Sequence, residues 1–468
     1  MKNIIILLSI ISIVFSNCTK ENRIQNLPSF NNERGVVAAS STTYSGTRIL
    51  EPVILTGTQL SSFSSNSPGD IVGFKYDVGT WIQIPIQIDE MAILDITKPY
   101  GEPASGYNIL MYTDANWRTG ADPNTLIDNN DELVFMLKDA GNQFTGIDYP
   151  LEIIASTKKE VVINDGLTTS YVYLFQQDGS LQQGAGINYV QYQYSPTNTV
   201  FDYGNKLNVE NSFITTSKYK WHFAGEWISD QLILNNVDIL DRHKAFFGDG
   251  NCTRSENTFS DGSNAFVTNK AGAIRVIRSY MGANSGPYTQ RTNIFYEGRQ
   301  DILTDLRVHS IEGIQDVFDY SPAAKGMKYT NSFNSTPITI DGIKETIVKG
   351  NIQWELVSGS EGSLVILHRK NTTFVGSETT FSSYWDDAKG RPASRCTGDG
   401  QAWGTSGISL GFNLSTLFTE PIKGAHVYTS PNFRLLKAIR TVYFETPNAS
   451  NSVAINYNAN APLTISIN

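Results

Sequence analysis

The chain has 468 residues, of which 17% are charged, and its net charge at pH 7 is −9. The low fraction of charged residues and the negative net charge disfavour binding to a phosphate backbone, so we expect no nucleic-acid partner. The 22 tyrosines and 23 phenylalanines favour strands and turns over helices. Length and composition therefore predict a mostly β protein large enough for two domains.

A short apolar run near the N-terminus indicates export. Residues 4–15 (IIILLSIISIVF) follow the positive Lys2. The run is too short to cross a bilayer as a helix, which needs about 20 residues, and it is typical of a signal segment covering residues 1–17. Cys18, directly after it, resembles the lipobox cysteine of bacterial lipoproteins, whose thiol is acylated and becomes the new N-terminus.

The lipobox resemblance covers the first 18 residues and implies where the protein resides. It implies an exported, membrane-anchored lipoprotein on the periplasmic side or at the cell surface, with the outer membrane favoured, because two acyl chains hold a protein stably. Residues 18–43, polar and weakly patterned, would be the lipidated Cys18 and a flexible tether. The alternative is a secreted protein in which Cys18 is incidental.

Two further cysteines lie in Gly-, Asp- and Ser-rich sequence: Cys252 in GDGNCTRSEN and Cys396 in SRCTGDGQAW. An exported chain meets an oxidising compartment, so this pair predicts one disulfide. Closing so long a loop would stabilise the fold by about 4–5 kcal/mol on the chain-entropy model. Two free buried thiols are the alternative.

Residues 44–180 predict a first, sandwich-like β domain. WIQIPIQIDE (81–90) alternates strictly, as a half-buried strand does, and Pro85 places this strand at a sheet edge or a bulge. ELVFMLKDAG (132–141) predicts a buried strand that ends in a turn, and TSYVYLFQQDGS (169–180) predicts another strand.

Residues 181–468 predict a larger β-sandwich domain. Short strand candidates are separated by Gly, Asn or Asp. They are residues 273–282, 292–313, 344–359, 363–370, 407–414 and 439–445. Apolar residues recur every three or four positions over 227–247 (WISDQLILNNVDILDRHKAFF), which predicts a helix there. The predicted fold is mostly β, an antiparallel β-sandwich architecture in two β-rich domains with one short helical segment.

Oxygen-bearing side chains crowd a Gly- and Pro-containing stretch, residues 112–135. Calcium takes about six to eight oxygen ligands from a flexible loop. The candidate metal ligands are Asp114, Asn116, Asp128, Asn130 and Asp131. The spacing is not that of an EF-hand, and an exposed acidic loop with Asx turns is the alternative. A calcium ion bound there would be structural.

A polar strand face supplies the catalytic candidates. In DILTDLRVHS, period-2 alternation places Asp305, Arg307 and His309 on one face, and nearby strands add Arg278 and Tyr280, with Tyr288 and Arg291 beyond them. The alternative is a solvated face. Arginine could pair a uronate carboxylate while histidine or tyrosine moves a proton, which is what β-elimination by a polysaccharide lyase requires. The candidate catalytic residues are His309, Arg307, Tyr280 and Arg278.

Two tryptophans lie in polar loop sequence, Trp117 in ANWRTG and Trp403 in GQAWGTSG. Sugar rings stack on exposed aromatic faces, so both are candidates for ligand stacking. Trp354, within a strand pattern with Ile352 and Leu356, is expected in the core instead.

The remaining patterns narrow the function only to a class. G-x-S-x-G, HExxH, Walker and post-strand GxGxxG motifs are missing, so no nucleotide or redox cofactor is expected. The sequence predicts a lipid-anchored extracytoplasmic protein that binds or processes a polysaccharide or other glycan. Whether it is an enzyme stays open. The alternative is a non-catalytic structural or assembly lipoprotein of the cell envelope.

Overall fold

The structure, a computed structural model, is built almost entirely of strands. It describes residues 44–99, 101, 103–196, 209–247, 255–260, 265–282, 288–307, 313–343, 345, 348, 350–372, 379–385, 403–411 and 435–468. Within these ranges the strand ladders are antiparallel, so the predicted mostly β, sandwich-like fold is confirmed. None of the helices in these ranges has the length and apolarity needed to cross a bilayer.

The described strands before residue 180 are short. They are β1 (Pro52–Thr56), β2 (Ile71–Asp77), β3 (Thr80–Ile84), β4 (Gln87–Asp89), β5 (Met91–Asp95), β6 (Asn108–Tyr112), β7 (Glu132–Met136), β8 (Lys159–Asn164) and β9 (Thr169–Gln176).

The remaining described strands and the two α-helices follow in chain order. They begin with β10 (Val190–Gln193), β11 (Val209–Thr216), β12 (Lys220–Gly225), β13 (Ser229–Leu234), β14 (Val237–Asp238), β15 (Leu240–Phe247), α1 (Glu256–Ser260), β16 (Ala265–Ala271), β17 (Val276–Met281), β18 (Thr289–Phe295), β19 (Arg299–Arg307) and β20 (Gly313–Tyr320). The rest are β21 (Lys328–Asn331), β22 (Ile338–Thr339), β23 (Trp354–Ser358), β24 (Ser363–Thr372), β25 (Thr379–Trp385), β26 (Thr405–Gly411), β27 (Leu435–Glu445), α2 (Asn451–Ala459) and β28 (Thr464–Ile467).

The largest sheet among the described residues has nine strands, in the order β16-β17-β18-β19-β27-β24-β23-β21-β22. A four-stranded sheet, β15-β20-β26-β25, and a five-stranded sheet, β10-β11-β12-β13-β14, pack on its inner face. Residues such as Trp221, Phe318 and Val442 share that core. The outer face carries the β5-β6 hairpin and α2.

A second layered unit is formed by the sheet β28-β8-β9-β2-β3 and the small sheet β1-β7-β4. The 81–90 stretch contributes to both, because it is split at Pro85: β3 ends at Ile84, and β4 starts at Gln87 in the other sheet. Its isoleucines at 84, 86 and 88 are buried as the alternation predicted, but Gln87 and Asp89 are buried as well.

The helix predicted over 227–247 is wrong. The segment forms the strands β13, β14 and β15, and β13 pairs with β14 around Asn235 and Asn236. Both asparagines have positive φ, 46° and 66°, which asparagine tolerates and which a two-residue hairpin turn of type I′ requires. The turn chemistry of this Asn-Asn pair overrides the helical spacing of the apolar residues.

The boundary near residue 180 stays a prediction, and several contacts cross it. The last strand, β28, pairs with β8. Val134 and Met136 belong to the core under the nine-stranded sheet. The fully buried Arg275 donates from Nε to Asp89 at 2.8 Å and from Nη2 to Glu132 at 2.7 Å. The two blocks are therefore held together by charge pairs as well as by apolar packing.

Candidate functional site

Cross-strand register places charged side chains on the inner face of the nine-stranded sheet. Arg278 is opposite Asn293, Asn293 is opposite Ile302, and Ile302 is opposite Arg440. Directly opposite residues share a face, so both arginines point toward the sheets packed on that face. Neither is more than 1% exposed. Charge is thus concentrated inside the sandwich.

A buried carboxylate, Asp316 on β20, gathers several of these side chains. Its Oδ2 accepts from Arg291 Nη2 at 2.7 Å, and its Oδ1 accepts from Arg440 Nη1 at 2.8 Å. His243 Nε2 lies 2.6 Å from the same Oδ1, and Arg291 Nε donates to Thr304 Oγ1 at 3.1 Å. These five residues, each at most 3% exposed, are called the Asp316 cluster below.

Electrostatics fix the charges within the Asp316 cluster. Burial alone would raise the pKa of Asp316, but Arg291, His243 and Arg440 outweigh it and hold this pKa well below its usual range. Burial lowers the pKa of His243 to about 4, and the neighbouring arginines add to the effect against the attraction of Asp316. At neutral pH the cluster therefore holds a neutral imidazole and one carboxylate between two guanidinium groups.

Arg440 stands out among the described arginines by its unused donors. Nε and Nη2 of Arg440 are buried with no hydrogen-bond partner among the described residues. Arg48, Arg242, Arg291 and Arg307 each leave one such N–H group in the same ranges. A buried donor without a partner costs about 1–3 kcal/mol. An acceptor placed beside Arg440 would relieve two such costs at once.

The next carboxylate along the face does not use these donors. Glu355 accepts from Tyr329 Oη at 2.9 Å through Oε2, and its Oε1 pairs with His368 Nε2. Burial would raise the pKa of Glu355, but His368 and Arg440 hold it below its usual value. Both of its oxygens are engaged by these partners, and Glu355 forms no hydrogen bond with the unpaired N–H groups of Arg440.

Aromatic rings enclose the Asp316 cluster. The guanidinium carbon of Arg440 lies 4.1 Å from the ring centre of Phe318, and that of Arg291 lies 5.2 Å from Trp227. Trp227 meets Tyr280 edge to face at 4.9 Å. Guanidinium groups are attracted to aromatic faces. Aromatic rings that exclude water also lower the local dielectric constant, which strengthens the charge interactions among the residues they enclose.

The cluster lies close to one end of the stacked sheets. Phe247, Met281, Arg307, Thr372 and Gly411 are the last residues of β15, β17, β19, β24 and β26, and the ladders align these ends. Asp316 is two residues from Ile314, which pairs with Phe247 at that end. Asp316 and Arg291 therefore lie two to three residues from strand ends, whereas Arg440 is four residues from Leu436, which pairs with Thr372. Loops at the ends of sandwiches commonly carry binding sites.

The structure brings only part of the predicted catalytic set together. Tyr280 lies on the inner face near Arg291, and its hydroxyl accepts from Asn293 Nδ2 at 2.9 Å. Arg278, on the same face, is already paired in bidentate fashion with Glu210 at 2.6 and 3.2 Å. Arg307 lies on the opposite face, where it donates to Gln290 Oε1 at 2.9 Å. His309 lies outside the described residues, and the catalytic roles stay predictions.

The predicted calcium ligands serve mainly as turn acceptors. Asp114 accepts from the backbone of Asn116 at 3.0 Å, Asp128 from that of Asn130 at 3.0 Å, and Asp131 from that of Met91 at 3.0 Å. Burial raises the pKa of Asp114 and of Asp131. Within the described ranges no group of three or more His, Cys, Asp or Glu side chains is arranged to hold a metal ion. Calcium stays a prediction.

The two loop tryptophans both pack against protein. Trp117 is half-buried and meets the Tyr194 ring edge-on at 5.4 Å. Trp403 is half-buried over Gly342, where an added Cβ would lie 3.3 Å from the indole. Glycine at 342 therefore makes room for the ring. Ligand stacking by either tryptophan stays a prediction, and Cys18, Cys252 and Cys396 lie outside the described residues.

Comparison with known proteins leaves the site to be argued from its own chemistry. The chain matches no family model, and no curated protein is similar to it. Sequence reasoning had noted Arg291 and had missed the roles of Asp316, Arg440 and His243. Alternation within β18 and β27 could have placed the two arginines on an inward face, but nothing local indicates that they share one carboxylate.

Proposed function

We propose that this chain is a lipid-anchored extracytoplasmic protein that binds an acidic polysaccharide at the Asp316 cluster. The observation that carries the proposal is the pair of unused N–H donors on Arg440, set beside a second guanidinium group on Arg291. A planar fork of donors matches a carboxylate, and uronate sugars present one on every residue.

The same residues could support β-elimination. Arginines that neutralise the uronate carboxylate make the C5 proton more acidic. A base then takes that proton, its electron pair forms the C4–C5 double bond, and the C4–O bond breaks. The leaving oxygen takes a proton from an acid. His243 is suited to be the base because it is neutral at neutral pH, and burial raises the pKa of Tyr280, which keeps its phenol protonated as an acid.

The test uses the full chain in detergent with polymers of mannuronate, galacturonate and glucuronate. Calorimetry measures binding, and ultraviolet absorbance detects the unsaturated product of elimination. Arg440→Met should weaken binding about 10- to 100-fold, the range expected for losing charged hydrogen bonds. Arg369→Met is the matched control, because Arg369 is exposed on the neighbouring strand β24 and has the opposite parity.

The outcomes separate three possibilities. Absorbance that rises in the native chain and not in His243→Gln supports elimination, whereas binding without a rise leaves a binding protein. No binding to any acidic polymer contradicts the proposal. The second candidate, a structural or assembly lipoprotein of the envelope, is favoured by the near-complete burial of the Asp316 cluster.

A further inference from the structure

We propose that one end of the sheet β28-β8-β9-β2-β3 docks on a lipid bilayer and is the part of the protein turned toward the membrane. This end is defined by Val78 and Leu167 and is called the Val78–Leu167 end. The proposal goes beyond glycan binding, and it rests on the proposed acylation of Cys18.

Two hairpin turns lie at this end. Asp77 pairs with Thr80, so the β2–β3 turn is Val78-Gly79, and Asn164 pairs with Thr169 around the β8–β9 turn. Strands β2 and β9 are antiparallel neighbours over Ile71–Phe74, and beyond that point Gly141 and Asn142 lie between them, bridging Tyr171 and Tyr76. The turns therefore project from the same edge, separated by about three strand spacings, roughly 15 Å.

Both turns carry an apolar side chain into solvent. Val78 is 90% exposed and Leu167 is 85% exposed. Val78 also has φ of 40°, a left-handed conformation that is unfavourable for a β-branched residue and that asparagine would adopt more readily. Valine at this position is worse than asparagine both for the turn and for contact with water. A role outside the fold explains its presence.

The described chain begins at the same end, so the proposed tether would enter the folded body beside Val78 and Leu167. Tyr44, the first described residue, hydrogen-bonds through its hydroxyl to Asp165 in the β8–β9 turn. Arg48 Nη1 donates to the carbonyl of Ala461, just before β28, at 2.8 Å. Residues 19–43 connect Cys18 to Tyr44. An acylated Cys18 would thus hold the protein by the edge from which Val78 and Leu167 project.

Charge at this end favours a bilayer with neutral headgroups. Asp77 and Asp165 lie beside Val78 and Leu167, and Arg48 is only 7% exposed. Anionic lipid would be repelled by the carboxylates, whereas insertion of valine and leucine depends on apolar contact. Docking should therefore be insensitive to salt and should not strengthen when anionic lipid is added.

The experiment places the full chain, purified from membranes, in phosphatidylcholine vesicles. Mass spectrometry of the N-terminal peptide first establishes whether Cys18 is acylated. Hydroxyl-radical labelling then reports side-chain exposure. Labelling of Val78 and Leu167 should fall about tenfold relative to detergent, because burying one such side chain favours the docked orientation by tenfold or more. Ile93 and Ile455, 68% and 50% exposed on other elements, should be unchanged.

A variant separates docking from folding. Val78→Asn should leave the melting temperature unchanged or raise it, because asparagine suits the turn, while labelling of Leu167 returns toward its detergent value. Ile93→Asn should leave the protection of Leu167 intact. Acylation without protection overturns the docking and leaves the anchor. An unacylated Cys18 overturns the anchor proposal instead. Protection that needs added envelope proteins would identify a protein partner and overturn docking on lipid.

Discussion

Replacing Arg440 with methionine tests whether Arg440 serves the proposed binding site or acts as a structural counter-ion of Asp316. Removing one partner of a buried ion pair commonly destabilises a protein by about 3–5 kcal/mol, because it leaves an uncompensated charge. Here Asp316 would keep Arg291 at 2.7 Å and His243 at 2.6 Å. The lost bond between Arg440 and Asp316 is worth about 2 kcal/mol, while two unpaired N–H groups, at about 1–3 kcal/mol each, disappear.

Arg440→Met should therefore change the free energy of unfolding by less than about 1 kcal/mol, or raise it, since methionine also retains apolar packing on Phe318. Arg291→Met should cost about 2 kcal/mol more, because it loses bonds to both Asp316 and Thr304 and relieves only one unpaired donor. Urea unfolding followed by tryptophan fluorescence measures both. A loss of 3 kcal/mol or more in Arg440→Met would refute the reasoning and make Arg440 a structural counter-ion.

Three further changes test the local physics. Burial raises the pKa of Asp139 to about 6, so the free energy of unfolding should fall as pH rises from about 4 to 6. Asp139→Asn keeps an acceptor for Tyr189 and should be more stable than the native chain by up to about 3 kcal/mol at pH 7, and equally stable below pH 4. Unfolding measured as a function of pH checks both expectations. Gly272→Ala should destabilise the fold by about 1–3 kcal/mol in urea unfolding, because its Cβ would lie 2.1 Å from Gln87 Oε1. Asn236→Ala should cost about 1 kcal/mol in thermal unfolding, because φ is 66° there.

The strands were predictable where one local rule acts alone. Short apolar and aromatic runs bounded by turn residues located β7, β9 and β24. The segment 227–247 misled because a hairpin can carry apolar residues at helical spacing by coincidence. The chain reverses there because both residues of the Asn-Asn pair adopt a positive φ, which a pattern of apolar residues does not reveal.

The candidate site was less predictable, because period 2 tells which residues share a face and not what covers it. Arg278 and Tyr280 share the inner face of β17, while Arg307 belongs to the opposite face of the same sheet. Deciding that needs the register between β18 and β19. The sequence alone could equally assign this polar face to solvent, whereas in the structure other sheets cover it. No sequence pattern encodes the pairing of Asp316 on β20 with Arg440 on β27.

The proposed ligand of Arg440 must carry acceptor atoms. Guanidinium N–H groups can only donate, so an acidic polysaccharide bound there would have to present oxygen acceptors to the two unpaired donors. A neutral sugar hydroxyl would accept from one of these donors. A carboxylate accepts from both donors of Arg440 in one plane, and its negative charge is attracted to the guanidinium groups of Arg440 and Arg291. Affinity should accordingly fall when the uronate carboxylates of a polymer are esterified, while the polymer keeps its hydroxyl groups and its shape.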